Sequence, residues 1–104
     1  MNKVFLGTEL KLNLNIDPIN GFTMEDYDFL IDVYCQSSKV ATITKTQAIK
    51  VDKNNYLICV NTENIGTGNL KCKVTAYVPD EDFPDSTRTE VSVIDTGITI
   101  VKAL

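Results

Sequence analysis

The sequence predicts an all-β domain, an antiparallel sandwich or barrel of seven or eight short strands. Three observations carry this. Val, Ile and Thr number 10, 10 and 12, so 32 of 104 residues are β-branched, and such side chains suit a pleated, half-buried strand better than a helix. Apolar residues recur with a period of two along most of the chain, which is the periodicity of a strand with one buried face. Turn signals return about every 8–14 residues, with no helical stretch long enough to carry a parallel crossover.

Each element follows from its own residues. Leu10, Leu12, Leu14 and Ile16 alternate with Lys11, Asn13, Asn15 and Asp17. Asp17-Pro18-Ile19-Asn20-Gly21 ends that strand, because proline removes a donor and Asn-Gly readily takes positive φ. Thr23-Met24-Glu25-Asp26 has room for one helical turn. Phe29, Ile31, Val33 and Cys35 then alternate with Leu30, Asp32, Tyr34 and Gln36. Residues 39–45 form a Thr-rich strand with Ala41 and Ile43 on one face, and a short strand follows over 48–51. The polar turn 52–55 leads into Tyr56, Ile58 and Val60, which alternate with Leu57, Cys59 and Asn61. Residues 62–68 read as a loop or single helical turn carrying Ile65 inward. Leu70, Cys72, Val74, Ala76 and Val78 face away from Lys71, Lys73, Thr75 and Tyr77. After the acidic loop 79–86, residues 88–95 and 97–102 form two strands, or one strand kinked at Thr96-Gly97. Arg88, Glu90 and Ser92 are expected on the outward face of that last segment, and Met1–Leu6 is an apolar stretch suited to pairing at a sheet edge of its own domain or a neighbour's.

Composition excludes whole classes of function. At 104 residues the chain is one domain over 1–104, with 1–7 as an N-terminal segment, edge-pairing or mobile. Histidine is absent, which removes imidazole bases, His-containing zinc sites and a switch near neutral pH. Ten Lys plus Arg against 14 Asp plus Glu give a charge of −4, the wrong sign for a phosphate-backbone binder, so no nucleic-acid partner is expected. The apolar runs fall well short of the roughly 18 residues of a membrane span, and Gly7-Thr8-Glu9 interrupts any leader-like core. The expectation is therefore no membrane association and no export signal.

The chemical motifs each have a plainer structural explanation. Asp80-Glu81-Asp82-Phe83-Pro84-Asp85 lacks the alternating ligands and glycine of a calcium loop. It reads as a solvated loop whose Phe83 and Pro84 pack down or meet a partner. Asp95-Thr96-Gly97 resembles the catalytic run of aspartic proteases, which need two such carboxylates face to face, but a strand corner explains it equally well. Ile65-Gly66-Thr67-Gly68-Asn69 leads into a strand, whereas a phosphate cradle needs a helix N-terminus. Nothing places any two of Glu25, Asp26, Glu63 and Glu90 across a cleft, so no glycosidase pair emerges. No catalytic residue, metal ligand or cofactor is expected, and the chain reads as a non-enzyme.

The order of features resembles a known module. Asp28-Phe29-Leu30-Ile31-Asp32-Val33, the Lys/Thr strand, the run from Val51 to Val60, the Asn-Thr-Glu-x-Ile-Gly-x-Gly corner at 61–68 and the run from Lys71 to Tyr77 are together similar to the small immunoglobulin-like β-sandwich domains of tailed-phage structural proteins. These include the N-terminal module of baseplate upper proteins and stand-alone auxiliary capsid or head-fibre proteins. The resemblance covers roughly residues 8–102 and implies a single antiparallel immunoglobulin-like sandwich. It implies an auxiliary capsid or decoration protein in a multi-copy assembly, located in the virion and assembled in the host cytoplasm. Its partners would be capsid or fibre subunits, bound through sheet edges and loops, with Val4, Phe5, Tyr77, Phe83 and Pro84 as contact candidates. A baseplate or tail component is the neighbouring alternative, and a carbohydrate-binding or adhesion module using Tyr27, Tyr34, Tyr56 and Tyr77 is another. Under the same resemblance Cys35 and Cys72 fall where an inter-sheet disulfide would run, with Leu70 in place of the usual tyrosine. On the residues themselves, Cys35, Cys59 and Cys72 read as three buried thiols.

Overall fold

The computed structural model describes residues 2–16 and 27–104. The expected turn at Asp17–Gly21 and the helical turn at Thr23–Asp26 lie outside the described residues. Eight strands are present among those described: β1 (Asn2–Phe5), β2 (Glu9–Asn15), β3 (Asp28–Cys35), β4 (Ser38–Thr44), β5 (Ile49–Lys50), β6 (Asn55–Asn61), β7 (Gly68–Pro79) and β8 (Thr87–Val101). They form a five-stranded sheet in the order β1-β8-β7-β3-β4 and a three-stranded sheet in the order β2-β6-β5. None of the described residues forms a helix.

Alternation decides which face of each strand is buried. Leu12, Leu14 and Ile16 from the β2 region meet Phe29, Ile31, Val33 and Cys35 of β3, with Tyr56, Ile58 and Val60 of β6 and Leu70, Cys72, Val74 and Ala76 of β7 completing one cluster. The Phe29 and Tyr56 rings meet edge to face at 4.9 Å between centroids, so the two sheets touch through their largest side chains. Ala41 and Ile43 of β4 stand opposite Val33 and Ile31 and extend the same face.

One pairing departs from the all-antiparallel expectation. β1 runs parallel to β8, with Asn2 opposite Ile98 and Phe5 opposite Val101. Residues 6–8 turn the chain from the larger sheet into the smaller, and Thr62 pins that crossing: its Oγ1 donates to the Thr8 carbonyl at 2.7 Å and accepts from the Gly7 N–H at 2.9 Å. The N-terminal segment thus pairs within its own domain.

The last two expected strands are one, β8, with an irregularity. Lys71 pairs with Asp95 but Asn69 pairs with Thr99, leaving extra residues on β8 opposite Leu70. Such a bulge bends the strand and raises its twist. Gly97 takes φ +72° there, a backbone region glycine enters without strain. The Thr96 hydroxyl donates to the Leu70 carbonyl at 2.7 Å, and Asp95 Oδ1 accepts the Gly97 N–H at 3.0 Å. Turn geometry therefore accounts for the whole Asp-Thr-Gly run.

The outward set expected for β8 is reversed. Arg88, Glu90 and Ser92 pair with Val78, Ala76 and Val74 and so share their inner face, while Val91 and Val93 turn outward. The strand is longer than anything in the smaller sheet, so much of it has no opposing layer. Its phase follows from the register of the β7–β8 hairpin, not from burial.

Candidate interaction surface

The outward face of the larger sheet is built by register. Thr44, Leu30, Thr75 and Val91 stand in one row across β4, β3, β7 and β8, and Thr42, Asp32, Lys73 and Val93 in the next. Tyr77 lies one row further, between Asp28 and Thr89. Val91 is 55% exposed and Val93 67%, and both are large apolar side chains in open solvent. Lys73 and Asp32 provide opposite charges within the same face.

The five contact candidates do not converge. Val4 is half-buried, packed against the core opposite Ile100. Phe5 is exposed near the C-terminal end of β8, opposite Val101. Tyr77 is half-buried near the other end of the sheet, and Phe83 and Pro84 are exposed in the loop beyond it. Only Tyr77 adjoins the Val91 and Val93 rows. The sequence held the signal for those valines in its alternation, but a period of two does not say which of its two faces is out.

The acidic loop is ordered by its own bonds. The Asp80 N–H donates to the Ser86 carbonyl at 3.0 Å, and the Asp82 N–H to Asp80 Oδ1 at 3.0 Å. Arg88 bridges Asp80 at 3.1 Å and Glu90 at 2.9 Å, so Glu90 is held by a guanidinium. Among the described residues no group of three or more acidic or thiol side chains is placed to hold a metal ion. Glu25 and Asp26 lie outside them.

No family model matches this chain, and neither does any curated protein or solved structure. No described helix is long and apolar enough to cross a membrane.

The cysteines correct two expectations. Cys35 and Cys72 belong to adjacent strands of one sheet, with Cys35 opposite Leu70 and Cys72 opposite Val33. A bridge between sheets is thus ruled out by topology, and all three thiols are free. Cys59 is exposed, not buried, and lies opposite Lys11 on the outer face of the smaller sheet. Burial pushes the Cys35 thiol up and carries Cys72 to about 11, and a protonated, enclosed thiol is inert. Brief treatment with iodoacetamide at neutral pH is expected to label Cys59 in the folded chain and all three cysteines in denaturant, as read by peptide mass spectrometry. Rapid labelling of Cys72 in the folded chain would contradict the packing.

The hairpin turn before β6 has its own pH signature. Asp52 lies below its ordinary range, first because the Asn55 side chain donates to it and then because the Asn54 N–H does, with the Asn55 N–H and Lys50 adding to the effect. The Asn54 and Asn55 N–H groups each reach Oδ1 at 3.0 Å. A carboxylate depressed in the fold contributes stability that is complete above its unfolded value near about 4 and disappears as pH falls through the lower folded value. Asp52→Asn is expected to be less stable than the parent at about pH 6, with the gap narrowing as pH falls below about 4 in urea titrations. A gap unchanged across that interval would remove the carboxylate's role.

Proposed function

We propose that this chain is a non-enzymatic structural protein that works by contact, in the setting of a tailed-phage particle, as an auxiliary capsid or decoration protein. The observation that carries the contact reading is the outward valine pair on β8 beside a sheet edge that no strand among the described residues covers over 87–95. A long strand edge left uncovered templates pairing with another chain. The strand order supports an immunoglobulin-like sandwich as the frame: the first strand lies parallel to the last on the edge of the larger sheet, and that sheet faces β2-β6-β5. The phage setting is supported by the sequence resemblance across residues 8–102.

Glycan binding has less support. Tyr56 is in the core and Tyr27 is packed against it. Tyr34 stands beside Lys71, so Tyr77 is six residues further along β7, a separation of about 20 Å at strand rise. That distance leaves no joint aromatic platform.

The test is to fractionate density-gradient-purified particles from cells that encode the chain and to quantify it by mass spectrometry. Many copies per particle are expected. Particles lacking it, from cells in which the chain is plentiful, would reject the virion reading.

A further inference from the structure

We infer that the open edge of β8 pairs with the same edge of a second copy of this chain, antiparallel about a two-fold axis at Val91, joining the larger sheets of both copies. This rests on the contact reading above and names its surface and occupant. Hydrogen-bond parity shows which groups are free. Ser86 turns its carbonyl to Asp80 of the neighbouring chain segment, whereas Val101 turns its carbonyl to Leu6, on the opposite side. Even-numbered residues of β8 therefore direct their backbone groups towards β7, and odd-numbered residues direct theirs away. At 99 and 101 they face β1. At 87, 89, 91, 93 and 95 no strand among the described residues meets them.

Between 87 and 95 this edge holds no proline and no lysine, two of the devices that block strand addition, and its inward charges are confined to Arg88 and Glu90. The opposite edge of the same sheet, β4, carries Lys39 and faces a register shift at Val33/Tyr34. Within the β8 edge the charges of Arg88 and Glu90 already satisfy each other at 2.9 Å.

The sequence of the edge is complementary to itself. A two-fold at Val91 sets Val91 against its own copy and Thr89 against Val93 on the outer face. On the inner face Arg88 meets Ile94 and Glu90 meets Ser92, so no like charges stand directly opposite, an arrangement that would destabilise a strand pair. Val91 occupies a hydrogen-bonding position, and the five odd-numbered residues supply about ten inter-chain bonds. The pairing also ends where β1 begins. Beyond residue 95 the second copy has reached its acidic loop, and Glu81, Asp82 and Asp85 arrive near the start of β1, where Lys3 stands opposite Thr99. Opposite charges thus meet at both ends of the joint, which identifies a second copy as the occupant.

Light scattering coupled to size exclusion, run on the full chain up to about 1 mM, is expected to show a concentration-dependent rise from 11.6 kDa to twice that mass. Val91→Lys places an ammonium against its own copy and should weaken the dimer at least tenfold. Circular dichroism of the variant separates this from misfolding, and Val93→Lys serves as the second variant. In the parent, the Thr89, Val91 and Val93 amides should gain protection from hydrogen exchange as concentration rises. A parent that stays monomeric throughout, a dimer indifferent to both lysines, or a dimer whose protected amides lie elsewhere would overturn the inference. A monomer that still loads onto particles removes self-pairing and leaves the virion reading intact, whereas a dimer absent from particles does the reverse.

Discussion

Phe29→Ala is expected to cost about 3–5 kcal/mol, the usual range for emptying an aromatic site in a core. Phe29 has no exposed surface, and its ring is the part of the larger sheet that meets Tyr56 of the smaller one edge to face at 4.9 Å. Truncation removes apolar burial, leaves a cavity between two layers held by their strands, and forfeits an aromatic contact worth about 0.5–1.5 kcal/mol. The Lys45 ammonium 5.8 Å from the ring centre loses a favourable neighbour as well. Against a total stability of roughly 5–15 kcal/mol for a domain of this class, the urea midpoint should fall by about 2 M. Phe29→Leu retains most of the volume and should recover more than half of the loss. A change below about 1 kcal/mol for the alanine variant would mean the sheets do not depend on this contact.

Thr62→Val is expected to cost about 1–3 kcal/mol while changing almost no volume. Thr62 is fully buried, and its hydroxyl serves two backbone groups at the crossing between sheets, donating to the Thr8 carbonyl and accepting the Gly7 N–H. Valine keeps the shape but leaves that N–H without a partner, and an unmade buried hydrogen bond costs more than a made one contributes. Thr62→Ser should restore most of the loss. Exchange of the Gly7 amide read by NMR should accelerate in the valine variant beyond any global effect. Equal acceleration at every amide would place the role of Thr62 in overall stability and not at the crossing.

Much of this architecture was legible in the sequence because burial and alternation coincide where two layers overlap. The sets from Leu12 to Ile16, Phe29 to Cys35, Tyr56 to Val60 and Leu70 to Val78 all occupy the inner faces that their periodicity indicates. Legibility fails where a strand outruns its cover. Arg88, Glu90 and Ser92 alternate with Val91 and Val93 as cleanly as any other set, yet the valines face out, since the hairpin register with β7 carries the phase past the end of the smaller sheet. The outward position of these valines was missed for the same reason. Cys35 and Cys72 illustrate a second limit: their spacing along the chain carries no information on whether two strands are neighbours in one sheet or opposed across two. The parallel β1 is a third case, because its partner lies at the far end of the chain and no local pattern announces it.

That parallel pairing has a mechanical consequence. β1 enters at the level of Ile98 and runs alongside β8 to Val101, so the N-terminal end of β1 and the C-terminal end of β8 lie at opposite ends of the joint. Tension applied between them pulls along the strands and across their hydrogen bonds, loading the short ladder in shear so that its bonds share the force instead of opening one at a time. A single-molecule tether through the two termini should therefore meet a sharp yield point at β1 before any other strand lets go.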